Sequence, residues 1–286
     1  MNEIERVGVV GCGIMGAGIT ELCALAGLDV RVTVPSAQSA DRGRQRLHRS
    51  LHQAAEKGKI TAAGRDEALG RITFATEIEM LADRQLVVEA VTEHEATKLK
   101  VLAELDRVLE DGDAIVATNT SSIPIAKLAR ATGRAPFVLG MHFFSPVPVM
   151  SLVELVGSLL TAERVRERAE LFVTGTLGKQ AIWSRDRAGF VVNSLLVPYL
   201  VAAVRMCESG FATAEDIDKA MTLGCAHPMG PLRLADLIGL DTVAAVAQAL
   251  YEEFKEQVYA PPPLLMRMVD AGMLGKKTGC GFHRYR

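Results

Sequence analysis

The chain has 286 residues, 49% of them hydrophobic and 23% charged, which bounds it as a folded globular protein of one large or two medium domains. A net charge of -2 excludes the global basic field of a nucleic-acid binder, and no apolar run attains the roughly 18–20 residues of a membrane span. No nucleic-acid partner and no membrane are therefore expected.

The opening MNEIERVGVV is acidic and runs straight into a strand, so neither a signal nor a transit peptide is expected and the protein is read as cytoplasmic. Strand-like runs follow at RVGVV (6–10), DVRVTV (29–34), LVVEAV (86–91), AIVAT (114–118) and FVLGM (137–141). Helical patterns lie between them at GAGITELCALAG (16–27), RGRQRLHRSLHQAAEKG (42–58) and KLKVLAELDRVL (98–109). This alternation predicts an α/β, Rossmann-like, doubly wound parallel sheet. Beyond the strand-like SLVELV, the helix-like ERVRERAELFVTGTLG and KQAIWS, the pattern turns almost wholly helical from Ala188. The expected division is residues 1–185, binding a dinucleotide and carrying the catalytic groups, and an all-α domain, 186–286, for substrate and dimerisation. Cys12, Cys23, Cys207, Cys225 and Cys280 are odd in number and lack CxxC spacing. They are read as reduced and structural, with no metal site.

RVGVVGCGIMGAGI places GxGxxG (Gly11, Gly13, Gly16) between a strand and a helix. One glycine permits the tight turn, one lets the backbone approach a pyrophosphate, and one lets helix and strand pack closely. The helix N-terminus then offers free N–H groups to the phosphates. The acid expected at the end of the second strand, to hold a ribose hydroxyl pair, is replaced by Val34, and Asp29 stands at the other end of that strand. A dinucleotide is thus expected without its usual NAD-selecting contact.

His142 lies between an apolar run and the proline-broken loop SPVPVM, and twelve residues on a single carboxylate, Glu154, interrupts SLVELV. The pair reads as partners in apolar surroundings; the ordinary alternative for a lone histidine on such a strand is a satisfied core residue. Arg42, Arg44, Arg46, Arg49 and Lys57 follow the second strand with only Asp41 and Glu56 opposing them. They form either a solvated helix face or a landing strip for the phosphates of coenzyme A or a phosphopantetheine arm.

The glycine motif, VVEAVTEHEATK (87–98), ATNTSSIPI (117–125), HFFSPVPVMSLVELV (142–156), DRAGFVVNSLLVPYL (186–200), HPMGPLRLADLIGLDT (227–242) and GKKTGCGF (275–282) resemble the 3-hydroxyacyl-CoA dehydrogenases. The resemblance is greatest to the short 3-hydroxybutyryl-CoA type and runs end to end in the same order. It implies that His142 is the general base and Glu154 its carboxylate partner. Proton removal from a secondary alcohol as hydride departs suits an imidazole titrating near neutrality.

The resemblance further implies that Ser121 hydrogen-bonds the reacting oxygen beside the cofactor, and that Asn193 helps hold substrate. By composition alone, Ser121 or Ser122 could instead cap a helix before Pro124, and Asn193 could be a helix–helix hydrogen bond. Glu93 and Lys98 match residues near the nicotinamide ribose, and Lys277 one reaching the cofactor from the tail; alone, each would be an ordinary surface charge. Ser50 and Lys57 match CoA contacts. Ser145 stands where the family has a cofactor-side asparagine.

The expected function is NAD(P)-dependent interconversion of (S)-3-hydroxybutyryl-CoA and the 3-oxoacyl-CoA, by a homodimer. NAD is the expected cofactor, with NADP admitted by Val34. One alternative keeps the reaction on an acyl-carrier-protein thioester, where a basic surface would meet an acidic carrier. Another is a non-catalytic dinucleotide-binding relative, against which the joint presence of Ser121, His142, Glu154 and Asn193 argues.

Overall fold

Val7 and Val9 point to one face of the first strand and Gly8 and Val10 to the other, and both faces are buried. Such two-sided burial is what a sheet covered by helices on both sides requires. The structure, a computed structural model, describes residues 4–285, and the chain divides into two compact units, Met1–Asp186 and Arg187–Arg286.

The first unit contains strands β1 (Arg6–Val10), β2 (Asp29–Thr33), β3 (Ile72–Ala75), β4 (Leu86–Glu89), β5 (Ile115–Thr118), β6 (Val138–Phe143), β7 (Leu152–Gly157) and β8 (Gln180–Arg185). Its helices are α1 (Ile14–Leu25), α2 (Ala37–Glu56), α3 (Ala62–Gly70), α4 (Glu95–Val108), α5 (Ile125–Ala129) and α6 (Glu163–Leu171). The strands form one sheet in the order β3-β2-β1-β4-β5-β6-β7-β8.

The sheet is parallel from β3 to β6, but β7 runs antiparallel to β6, and β8 is parallel to β7. The expectation of a wholly parallel sheet therefore holds for six strands only. The segment 144–151 joining β6 to β7 is shorter than the dozen or so residues that a parallel crossover needs. The chain must turn back. Edge strand β3 and helix α3 were not anticipated; ITFA is short and pairs only with β2. Helix α2 begins before the arginine run because the Ser36 hydroxyl caps it, accepting from the Ser39 N–H at 3.2 Å.

The second unit comprises α7 (Val192–Glu208), α8 (Ala214–Gly224), α9 (Pro231–Ile238), α10 (Leu240–Phe254) and α11 (Pro263–Asp270). Leu200, Val204, Ile217, Leu232, Leu240, Val243 and Leu265 form its core. Asp218 caps α9, accepting from the Leu232 and Arg233 N–H groups at 2.8 and 3.1 Å, and also meets His283 Nε2 at 2.7 Å. Asp236 fastens the tail by accepting from the Phe282 and His283 N–H groups, both at 2.9 Å, and from the Tyr285 hydroxyl at 3.0 Å. Position 281 must be glycine for this approach, since a Cβ there would lie 1.9 Å from Asp236 Oδ1. Among the described residues no single helix is long and apolar enough to cross a membrane.

Candidate active site

The glycine turn is built as its spacing requires. Gly11 has φ +93°, and a Cβ on it would sit 2.8 Å from the Ala90 carbonyl oxygen at the end of β4. A Cβ on Gly16 would lie 2.0 Å from the Gly11 carbonyl, so α1 packs directly on the turn. Gly13 stands at the N-cap of α1 with no side-chain cap and open space where a Cβ would be. The N–H groups of the first turn are thus available to an anion. The turn lies where β1 separates β2 from β4, the point at which strand order reverses and α/β sheets bind nucleotides.

Val34 is buried with Val30 and Val32 in the apolar core, its N–H donating to the Ala75 carbonyl at 3.1 Å. Asp29 serves structure instead, accepting from buried Arg84 at 2.7 Å. The arginine run on α2 is divided. Arg46 donates to the Cys12 carbonyl of the glycine turn at 2.7 Å. Arg44 meets Asp41 at 3.0 Å and lies over the Phe74 ring, while Arg42 donates to Ser39 Oγ at 2.9 Å. Arg49 and Lys57 are exposed. Ser50 hydrogen-bonds the buried carboxylate of Glu21, whose pKa is pushed up by burial and partly restored by that bond.

Strands β6 and β7 set His142 directly opposite Glu154 in antiparallel register. The His142 Nδ1 and Glu154 Oε2 atoms are 2.8 Å apart, and Glu154 is fully buried. The strand extends one residue past His142, so the imidazole belongs to β6 rather than to the loop. The Phe144 ring meets it edge-on at 4.6 Å, and Ser145 follows, exposed. Lys179, buried at the start of β8, gathers this loop by donating to the carbonyls of Val147 (3.0 Å), Pro148 (3.3 Å) and Met150 (2.8 Å). Burial without a carboxylate among the described residues pushes its ammonium pKa down.

Ser121 follows β5 and is held by Glu93, whose Oε1 accepts from the Ser121 N–H at 2.9 Å, from Thr120 Oγ1 at 2.5 Å and from Ser122 Oγ at 3.2 Å. Burial alone would raise the Glu93 pKa. The Lys98 charge and the hydrogen bonds from Thr120 and Ser121 outweigh it and hold the carboxyl below its usual range.

Lys98 is no surface charge. It is buried, with Nζ 2.8 and 2.9 Å from the two oxygens of Glu89 and 3.2 Å from Glu93 Oε2. The cap reading of the serines fails as well, because Asp186 caps α5, accepting from the Ile125 and Ala126 N–H groups at 2.7 Å each.

A model of the 3-hydroxyacyl-CoA dehydrogenase NAD binding domain matches residues 6–187, and a model of that family's C-terminal domain matches residues 189–285. The chain belongs to the 3-hydroxyacyl-CoA dehydrogenase family. A 3-hydroxybutyryl-CoA dehydrogenase of Mycobacterium tuberculosis is 57% identical over 284 residues, 99% of each chain. One from Bradyrhizobium diazoefficiens is 44% identical over 283 residues, 99% of this chain and 96% of the relative. The crystal structure of M. tuberculosis FadB2 matches with a TM-score of 0.99 at 56% identity, covering 100% of both chains. That of (S)-3-hydroxybutyryl-CoA dehydrogenase PaaH1 from Ralstonia eutropha matches at 0.93 and 43% identity, covering 99% of this chain and 100% of the other.

The family's NAD is consistent with the glycine turn, whose open helix N-terminus would hold the pyrophosphate. In the helical unit Asn193 lies in the first turn of α7. Lys277 is paired with Asp241 at 2.6 Å. Three residues escaped the sequence reading: Glu89, Lys179, and Asn119, whose Oδ1 accepts from the Phe143 N–H at 2.9 Å. A signal for Glu89 was present. It is a lone carboxylate in the apolar run LVVEAV, just as Glu154 is in SLVELV.

Proposed function

We propose that the protein interconverts (S)-3-hydroxybutyryl-CoA and acetoacetyl-CoA, with His142 as general base and acid and Glu154 as its partner. The observation that carries this reading is the 2.8 Å contact between His142 Nδ1 and the buried Glu154 carboxylate. A carboxylate only accepts, so the proton on the ring belongs at Nδ1 and Nε2 is the basic nitrogen. In the oxidative direction Nε2 takes the hydroxyl proton, and Glu154 stabilises the resulting imidazolium. In reduction the same proton returns to the forming alkoxide. When bound, NAD supplies the hydride acceptor. Ser121, fixed by Glu93, orients the reacting oxygen, and Asn193 is assigned to holding substrate.

CoA is the carrier we adopt, supported by the names of the relatives. The alternative carrier protein finds less support in the α2 arginines, since Arg46 and Arg44 are engaged within the fold. We further propose that Val34 relaxes the choice between NAD and NADP, and that the helical unit dimerises. The apolar run that suggested dimerisation is mostly buried within its own unit, at Val197, Leu200, Val201 and Val204. Exposure lies instead at Leu195 (73%), Phe211 (78%) and Leu223 (76%).

The test is acetoacetyl-CoA reduction with NADH and NADPH side by side, for wild type and His142→Ala. Turnover in the wild type with a 10²–10⁴-fold lower kcat in the variant is expected. An inactive wild type, or a variant within threefold of it, would overturn the reading.

A further inference from the structure

The buried cluster Glu89–Lys98–Glu93 lies at the tip of β4, inside the first unit, and nothing in the proton-transfer scheme uses Glu89. Its burial is costly without a purpose, because a buried ion pair adds little net stability over apolar residues of the same volume. The hydrogen-bonding capacity of Glu89 and Lys98 is fully assigned. Glu89 Oε1 accepts from Lys98 Nζ and from the Val91 N–H, both at 2.8 Å. Glu89 Oε2 accepts from Lys98 Nζ at 2.9 Å and from Thr118 Oγ1 at 2.6 Å. The remaining reach of Lys98 goes to Glu93 Oε2 at 3.2 Å.

Two consequences follow from these distances. Lys98, with its side chain 1% exposed and its three N–H donors committed, acts on a ligand only through Glu93, whose side chain is 36% exposed. Glu93 in turn is oriented from both ends, by Lys98 below and by the 120–122 loop beside it. Without Glu89, Lys98 would have Glu93 as its sole counter-ion and would draw that carboxylate inward.

The location of the cluster says what it faces. The glycine turn follows β1 and His142 lies next to the end of β6, and the strands between them are β4 and β5. At the usual spacing of neighbouring strands, β1 and β6 lie about 14 Å apart. A dinucleotide with its pyrophosphate on the turn and its reactive ring at His142 must cross the tips of β4 and β5. Glu93 and Ser121 stand there.

We propose that Glu89 is a positioning residue for the nicotinamide-riboside half of the cofactor: it anchors Lys98, and so holds Glu93 where its carboxylate accepts from that half. This rests on the dinucleotide reading of the glycine turn given above. The experiment measures dissociation constants of NADH and of ADP, which lacks the nicotinamide riboside, on the full chain. Wild type, Glu89→Gln, Glu93→Gln, the Glu89→Gln/Glu93→Gln double variant and a Glu89→Gln/Lys98→Met variant are compared. The last removes both buried charges together and so keeps the test alive if Glu89→Gln alone does not fold.

NADH binding should weaken by about tenfold or more in each variant, the scale of one hydrogen bond to a charged group. ADP binding should stay within twofold, and the Glu89/Glu93 double variant should be no worse than Glu93→Gln. Equal losses for NADH and ADP, additive losses in the double variant, or NADH affinity unchanged in the Glu89→Gln/Lys98→Met protein would each overturn the proposal. A wild type that binds ADP but not NADH would also overturn it while leaving the glycine-turn reading intact. One that binds neither would overturn both.

Discussion

Glutamine in place of Glu154 removes one charge and almost no volume. The carboxylate is fully buried and its Oε2 is 2.8 Å from His142 Nδ1, with the two residues paired across adjacent strands. When Nε2 takes the substrate proton, the ring becomes a cation and this contact becomes an ion pair. The charge-assisted part of such a hydrogen bond is about 1.5 kcal/mol at the low end, and the Coulomb term is about 4 kcal/mol for charge centres about 4 Å apart with an effective dielectric constant near 20. A loss of 1.5–4 kcal/mol is about 10- to 10³-fold in rate. Glutamine adds a second penalty, since its amide can donate to Nδ1 and drive the ring proton onto Nε2. Steady-state oxidation of 3-hydroxybutyryl-CoA should therefore show kcat reduced by about 10- to 10³-fold. NADH affinity, measured separately, should change less than twofold. A kcat within threefold of wild type would remove Glu154 from the mechanism.

Val34→Asp should tighten NADH by about 10-fold, through a charge-assisted bond to the ribose, and weaken NADPH; a wild type that already prefers NADH more than a thousandfold in kcat/KM would refute this reading of Val34. Asp186→Ala should cost about 1 kcal/mol by uncapping α5, lowering Tm by about 2–4 °C, and an unchanged melting curve would show the cap to be idle. Tyr285 carries a pKa pushed up to about 12 by burial and by its hydrogen bond to Asp236. Because the folded state holds that proton more tightly, its stabilisation is complete below about pH 10 and is lost as pH rises toward 12. Denaturation across that window should show a smaller decline in Tyr285→Phe than in wild type, and identical slopes would refute the assignment.

Elements whose signals are local were readable from the residues alone. GxGxxG between a strand and a helix specifies its own turn, because Gly16 packs on the Gly11 carbonyl within the same motif and Gly11 itself takes φ +93°. The His142–Glu154 pairing was legible because each is a lone polar residue in an apolar run, whereas the antiparallel register that sets them opposite each other was not. Lys98 was half legible: it shares a helical stripe with Leu102 and Leu105, the buried residues of α4, yet a lysine read alone defaults to solvent.

The groups that hold the two glutamate partners of Lys98 could not be read at all. Glu89 is reached by Thr118 from 29 positions away, and Glu93 by Ser121 from 28. The fate of the arginines was equally hidden, since Arg46 turns to a carbonyl 34 residues earlier. Periodicity states which face of an element is buried. Which charge waits on the other side is decided only when distant strands come to lie side by side, because hydrogen bonds act over about 3 Å and carry no record of separation along the chain.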